Sequence, residues 1–260
     1  MIAAHAPNRV VGGTNTARLV KGSQGSVEYA VEAIGTFSLV FTVGAAVGSA
    51  SPFALLGLGA VLVVMVYSGS YLPGGHYNPA VTLAMLMRHR VALRDAIAHW
   101  IVQLGAGLLA AAVVRGIVDP AQVASNAAMG PAGHTLVIAL VLELIITFAL
   151  CYMMLDVATS KRHSNSSRYG LALGFTVLAG AFAVAAISGG PFNPEASLGT
   201  SVMAMFAWPT LWVYLVAQIL AGLAAGVTFL ALDPTIGESD WRTNPLPDQA
   251  NPTDNHEALR

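Results

Sequence analysis

Gly74-Gly75-His76-Tyr77-Asn78-Pro79-Ala80 and, further along, Gly189-Gly190-Pro191-Phe192-Asn193-Pro194-Glu195 are two versions of one phrase, G-G-x-x-N-P. Each stands where an apolar stretch has just ended. Two glycines, then Asn, then Pro describe a backbone turn feeding a helix: Asn caps the helix and Pro takes the first helical position, where a missing N–H costs nothing. The same helix start is therefore used twice, and its surroundings decide what it is for.

Those surroundings are apolar. The 260 residues are 55% hydrophobic and 10% charged, and mean hydropathy is +0.66. A soluble domain carries about 25% charged residues, so most of this chain must face lipid. A net charge of −1 without a basic run excludes a nucleic-acid surface. Cys151, the one cysteine, lies in an apolar stretch, so intrachain disulfides and a cysteine zinc site are excluded and a packed thiol is expected.

Runs long enough to cross a hydrocarbon core of about 30 Å fall at 27–48, 52–71, 97–118, 135–157, 169–187 and 209–232. Two further runs, 78–87 and 193–206, are too short and read as half-length helices. Residues 1–26 lack the apolar core of a signal peptide, about 7–15 residues long, and read as a polar tail; 233–260 is proline-rich and acidic and reads as a second tail. Basic residues cluster before the first span (Arg9, Arg18, Lys21), between the second and third (Arg88, Arg90, Arg94) and between the fourth and fifth (Lys161, Arg162, Arg168), with Arg115 as the exception. Both termini are thereby expected on the cytoplasmic side.

The spans repeat. Glu32-Ala33-Ile34-Gly35-Thr36-Phe37 and Glu143-Leu144-Ile145-Ile146-Thr147-Phe148 share E-x-x-x-T-F at an offset of 111, while Asn78 and Asn193, and likewise Gln103 and Gln218, are offset by 115. Landmarks in one order at nearly constant spacing mark an internal repeat, with halves at about 27–118 and 134–232. Three spans is an odd number, so the second copy must be inserted upside down, which puts the expected site on the pseudo-symmetry axis near mid-membrane. The predicted fold is an all-α membrane protein of six spanning helices plus two half-spanning re-entrant helices.

Non-helical backbone at membrane depth is tolerated only when buried in protein or lining a watery cavity. Two half helices pointing their N-termini inward would place about half a positive charge each at the centre, repelling cations while the Asn78 and Asn193 amides hydrogen-bond a neutral solute. The extended glycine backbone before each Asn would add carbonyl acceptors.

Paired N-P-A-type boxes, six spans, E-x-x-x-T-F in spans one and four, and Ser188-Gly189-Gly190-Pro191-Phe192-Asn193-Pro194 together resemble the aquaporin and glycerol-facilitator family, the major intrinsic proteins. The resemblance covers about 27–232 and implies a homotetramer with a pore in each subunit, passing water or small uncharged solutes without an energy source. It makes Asn78, Pro79, Ala80, Asn193, Pro194 and Glu195 the pore motifs. Gly74, Gly75, His76 and Gly189 would line the pore, and Glu32 and Glu143 would accept hydrogen bonds from the loops that present the boxes. The second box departs from the family: where N-P-A-R is usual, this chain has Asn193-Pro194-Glu195-Ala196. By the same counting the outer filter would be Leu58, Ala181, Gly190 and Ala196, wide and apolar, without the family's arginine.

Each of these residues also has a plainer reading. Asn78 and Asn193 can serve as helix caps alone, and His76 as a cap or packing residue. Gln103 and Gln218 suit interhelical hydrogen bonding better than solute contact. Glu195 in a first helical turn is favoured by the dipole; it either caps local backbone or offsets part of the positive focus left by the missing arginine. The leading function is a passive channel for water and small neutral solutes such as glycerol, urea or ammonia, in a plasma membrane, with a bacterial inner membrane favoured. A secondary transporter or a non-conducting scaffold with Leu58 closing the pore are the alternatives. No enzyme activity, cofactor or metal site is expected, because no nucleophile and base pair or metal-ligand cluster stands at suitable spacing.

Overall fold

A computed structural model describes residues 13–49, 51, 53–69, 74–119, 134–159 and 169–232. Eight α-helices follow in order: α1 Gly13–Gly48, α2 Ala54–Gly69, α3 Pro79–Met87, α4 Leu93–Ile117, α5 His134–Thr159, α6 Tyr169–Ser188, α7 Pro194–Val202 and α8 Leu211–Leu232. A 3-10 turn, Trp208–Thr210, leads into α8. The described residues contain no strand.

Five helices are long and apolar enough to span a membrane, and α2 is a shorter apolar helix of 16 residues, about 24 Å at 1.5 Å per residue. The bundle is polar inside and apolar outside. Glu32, His99, Gln103, Glu143, Glu195 and Gln218 are fully buried, whereas Ile34, Ile101, Phe175 and Phe182 are exposed. That distribution suits lipid as the solvent, since polar groups within a span must find partners in the bundle interior. The chain is an integral membrane protein.

Exchanging the repeats, α1 for α5, α2 for α6, α3 for α7 and α4 for α8, maps the helix packing onto itself. The contact of α1 with α4 becomes that of α5 with α8, α1 with α2 becomes α5 with α6, and α4 with α7 becomes α8 with α3. The pairs α2 with α6 and α3 with α7 map onto themselves. At the first of these, Gly59 and Gly174, 115 apart, bring two helices to backbone contact: a Cβ on Gly59 would sit 2.8 Å from the Gly174 carbonyl oxygen.

Several boundaries differ from expectation, among them the start of the third span, at Leu93 rather than 97. α1 begins at Gly13, so half of the segment read as a polar tail is helix: no proline follows Pro7 before Pro52, and Ala17, Leu19 and Lys21 are good helix formers. The second half helix stops at Val202 rather than 206 because Ala204 adopts φ +62°. There Met205 N–H bonds to Thr200 C=O at 2.8 Å and Ala204 N–H to Ser201 C=O at 3.1 Å, the crossed pair that closes a helix in a Schellman motif. α3 ends identically at His89, φ +59°, 115 residues earlier. The final span starts at Leu211, after the 3-10 turn. The 233–260 tail, residues 1–12, the linker 120–133 and the basic loop 160–168 lie outside the described residues.

Candidate functional site

The two half helices meet nose to nose. Asn78 caps α3, its Oδ1 accepting the Ala80 N–H at 2.8 Å, and its Nδ2 donates to the Phe192 carbonyl at 3.0 Å. Asn193 caps α7 through the Glu195 N–H at 3.0 Å and donates to the Tyr77 carbonyl at 2.9 Å. Each box thus holds the loop that precedes the other. An amide NH2 has two hydrogens, so each Asn spends one on the opposite loop and has a second without a partner among the described residues.

The loops carry backbone that needs support. Gly74 and Gly189 (φ +103° and +89°) start them, and Tyr77 and Phe192 follow at φ +52° and +47°, a left-handed conformation costing roughly 1–2 kcal/mol each for residues with a Cβ. Hydrogen bonds fix it on both sides. Tyr77 N–H donates to Glu32 Oε2 at 2.9 Å, and the His76 N–H to Glu32 Oε1. Phe192 N–H donates to Glu143 Oε2 at 3.1 Å, and the Ser188 hydroxyl to Glu143 Oε1 at 2.9 Å. The carbonyls of the same two strained residues take the Asn amides.

Behind the carboxylates stand the glutamines. Gln103 Nε2 donates to Glu32 Oε2 at 2.9 Å and to Thr82 Oγ1 at 3.1 Å; Gln218 Nε2 donates to Glu143 Oε2 and to Ser197 Oγ, both at 2.9 Å. Thr82 and Ser197 close the circuit on the carbonyls of Asn78 and Asn193. The sequence by itself assigns no such hydrogen-bonding role to these two hydroxyls or to Ser188; the 115-residue offset of Thr82 and Ser197 is the signal that pairs them.

A cavity of about 60 Å³ runs past the paired Asn residues, lined by Leu58, Val61, Gly75, His76, Asn78, Val177, Gly190, Asn193 and Ala196 among others. That is room for several waters. Among the described residues no Asp, Glu, Lys or Arg lines it. Leu58, Gly190 and Ala196 line it, and Ala181 does not: it is buried in a cluster with Val184 and Phe192, and Val177, one turn earlier on α6, takes the wall. Gly74 and Gly189 also stand behind the lumen. Gly74 packs near Glu28 and Glu32, and Gly189 against the Phe206 ring. Pro79, Ala80 and Pro194 belong to the first turns of the half helices rather than to the wall.

Glu195 is likewise off the lumen. Its side chain is fully buried, neither carboxyl oxygen has a hydrogen-bond partner among the described residues, and it lies on Gly107 of α4, where a Cβ would collide with the carboxyl group. At the pseudo-equivalent place Gly222 of α8 packs on the Ala80 backbone. Among the described residues Glu195 therefore caps no local backbone, which removes one reading offered by the sequence, and its side chain stands behind the lumen wall rather than in it.

One further grouping was invisible in the sequence. Glu32, His76 and His99 bring one donor atom each within 4.8 Å of one another, from three separate segments, and His99 Nε2 lies 2.9 Å from Glu28 Oε1.

Two half-spanning helices capped by Asn, meeting over an uncharged lumen within an inverted repeat, define a membrane protein of channel architecture. The sequence profile described as Major intrinsic protein matches residues 28–229, and the chain belongs to that family. It is 33% identical over 205 residues to "Glycerol uptake facilitator protein-like 6" of Lactiplantibacillus plantarum, covering 76% of this chain and 94% of that one. It is 31% identical over 207 residues to "Aquaporin NIP2-1" of Oryza sativa, covering 76% and 67%. The X-ray structure of the aquaglyceroporin from Plasmodium falciparum superposes with a TM-score of 0.68 at 20% identity, over 83% of this chain and all of that one, a likeness of fold.

Proposed function

We propose that the chain is a passive channel through which water and small uncharged solutes cross a membrane by the cavity at Asn78 and Asn193. The observation that carries this is the lumen itself: one spare amide hydrogen on each Asn, two helix N-termini directed at the same point, and, among the described residues, no Asp, Glu, Lys or Arg in the wall. A neutral hydrogen-bonding solute replaces its water there. A cation meets two positive dipole ends in a low-dielectric site and is repelled.

Leu58, Gly190 and Ala196, with Val177 in place of Ala181, form the selective stretch in this reading. A leucine and two small residues leave it apolar and without the fixed donor that an arginine supplies. Glycerol is therefore the first solute to test beyond water, with urea and ammonia next, and the name of the Lactiplantibacillus relative supports that order. The channel works as a homotetramer in a lipid bilayer, each subunit with its own pore. Both termini lie on the cytoplasmic side of a plasma membrane, here assigned to a bacterial inner membrane.

Stopped-flow shrinkage of proteoliposomes in sucrose and then in glycerol tests the reading. Fast shrinkage followed by glycerol re-entry, linear in the gradient, is expected. Saturable uptake that depends on an ion gradient would indicate a carrier, and no flux above empty liposomes would indicate a scaffold.

A further inference from the structure

The channel reading makes no use of Glu28 or His99, nor of the His76 ring beyond its place in the wall. Glu28 and Glu32 lie four residues apart on α1, so both face the same side. His76 enters from the loop after Gly75, and its ring meets that of His99 edge-on with centroids 4.8 Å apart. His99 is fully buried, and neither ring nitrogen has an aligned hydrogen bond among the described residues; its Nε2 approaches Glu28 Oε1 at 2.9 Å without lying along an N–H direction. A buried imidazole without aligned partners is costly unless something else takes its lone pair.

We propose that Glu32, His76 and His99, with Glu28 as fourth donor, form a site for a divalent transition metal such as zinc behind the His76 wall of the cavity, and that occupation throttles flux. Two imidazoles and carboxylate oxygens are a donor set suited to such an ion. Among the described residues Glu32 Oε1 accepts only the His76 N–H and so retains a lone pair, while His76 Nδ1 lies 3.2 Å from Thr82 Oγ1 and Nε2 has no hydrogen-bond partner among them. Donors now up to 4.8 Å apart must draw in by roughly an ångström to reach zinc bond lengths of about 2.0–2.2 Å, a rotamer adjustment of the His99 and Glu28 side chains, whose 2.9 Å contact the ion would replace. The ion would fix the His76 ring, which lines the lumen, in one position and so hold that part of the wall. The flux part rests on the channel reading; the binding part does not.

The test uses tag-free full-length protein. Calorimetric titration with Zn2+ should give one equivalent per chain, and Co2+ as a spectroscopic probe should show the visible bands of a four-coordinate site. In proteoliposomes zinc should slow osmotic water flux several-fold, reversibly with EDTA. His99→Leu, outside the lumen wall, should lose at least tenfold in zinc affinity and lose the zinc response while keeping its zinc-free flux; Glu28→Gln, which keeps the fold and one donor oxygen, should bind more weakly than the native chain. Equal zinc affinity in native and His99→Leu protein, or no Co2+ bands in the native chain, overturns the site. Binding with unchanged flux overturns the throttling. Binding in a protein with no zinc-free flux supports the site and counts against the channel reading.

Discussion

Glu195 and Ala196 are where this chain leaves its family's pattern, and the two residues point in different directions. Ala196 faces the lumen, whereas Glu195 lies on Gly107 of α4, fully buried and without a hydrogen-bond partner among the described residues. Glu195→Gln should therefore leave water flux, glycerol flux and cation leak in proteoliposomes as they are in the native protein. A change in cation leak would show that the carboxyl acts on the lumen after all. Gly107→Ala should overfill the contact and lower stability by about 1–3 kcal/mol, read as a drop in thermal midpoint in detergent, and Glu195→Ala in the same chain should return most of the loss, because the two sites share one contact. Ala196→Arg belongs to the wall itself. It adds a bulky donor to an apolar passage and should cut glycerol permeability at least about tenfold, equivalent to about 1.4 kcal/mol on the barrier, with a smaller effect on water.

At the scale of the element, each half helix stands on three supports: an Asn cap, a carboxylate beneath the preceding loop, and a glutamine beneath the carboxylate. Glu143→Leu would strand the Phe192 N–H, the Ser188 hydroxyl and one Gln218 contact in the interior. Unpaired buried groups cost about 1–3 kcal/mol each, so the variant should unfold several degrees below the native chain, with Glu143→Gln, which keeps an acceptor oxygen, in between. Glu32→Leu should behave alike, since its bonds to the other loop match. A thermal series in one detergent checks both, and equal midpoints for native and Leu variants would refute the support. That a carboxylate within a span demands partners was legible in the residues; that the partners are the loops was implied only by the resemblance to the major intrinsic proteins. Where the half helix α7 ended was not, since Ala204 in the left-handed region is a closing turn that composition does not announce.

The whole molecule is one packing scheme applied twice with inversion, and that inversion dictates topology. Cys151 is buried, so single cysteines introduced at Thr14 and Ser239 should react with an impermeant maleimide from the same face of the membrane and from no other; labelling from opposite faces would refute the six-span reading. Apolar run lengths, the two N-P turns and the offsets of 111 and 115 were enough to determine the number of helices, the re-entrant pair and the inverted repeat, because a bilayer penalises every unsatisfied backbone group and so leaves few ways to arrange such a chain. Tertiary structure alone decided which side chains reach the lumen. Ala181 and Glu195 sit one helical turn or one residue from the wall and face away from it, a matter of helix rotation that spacing along the chain does not encode. The meeting of Glu28, Glu32, His76 and His99 was likewise beyond the sequence, since four donors on three segments become neighbours only when α1, α4 and the first re-entrant loop pack together.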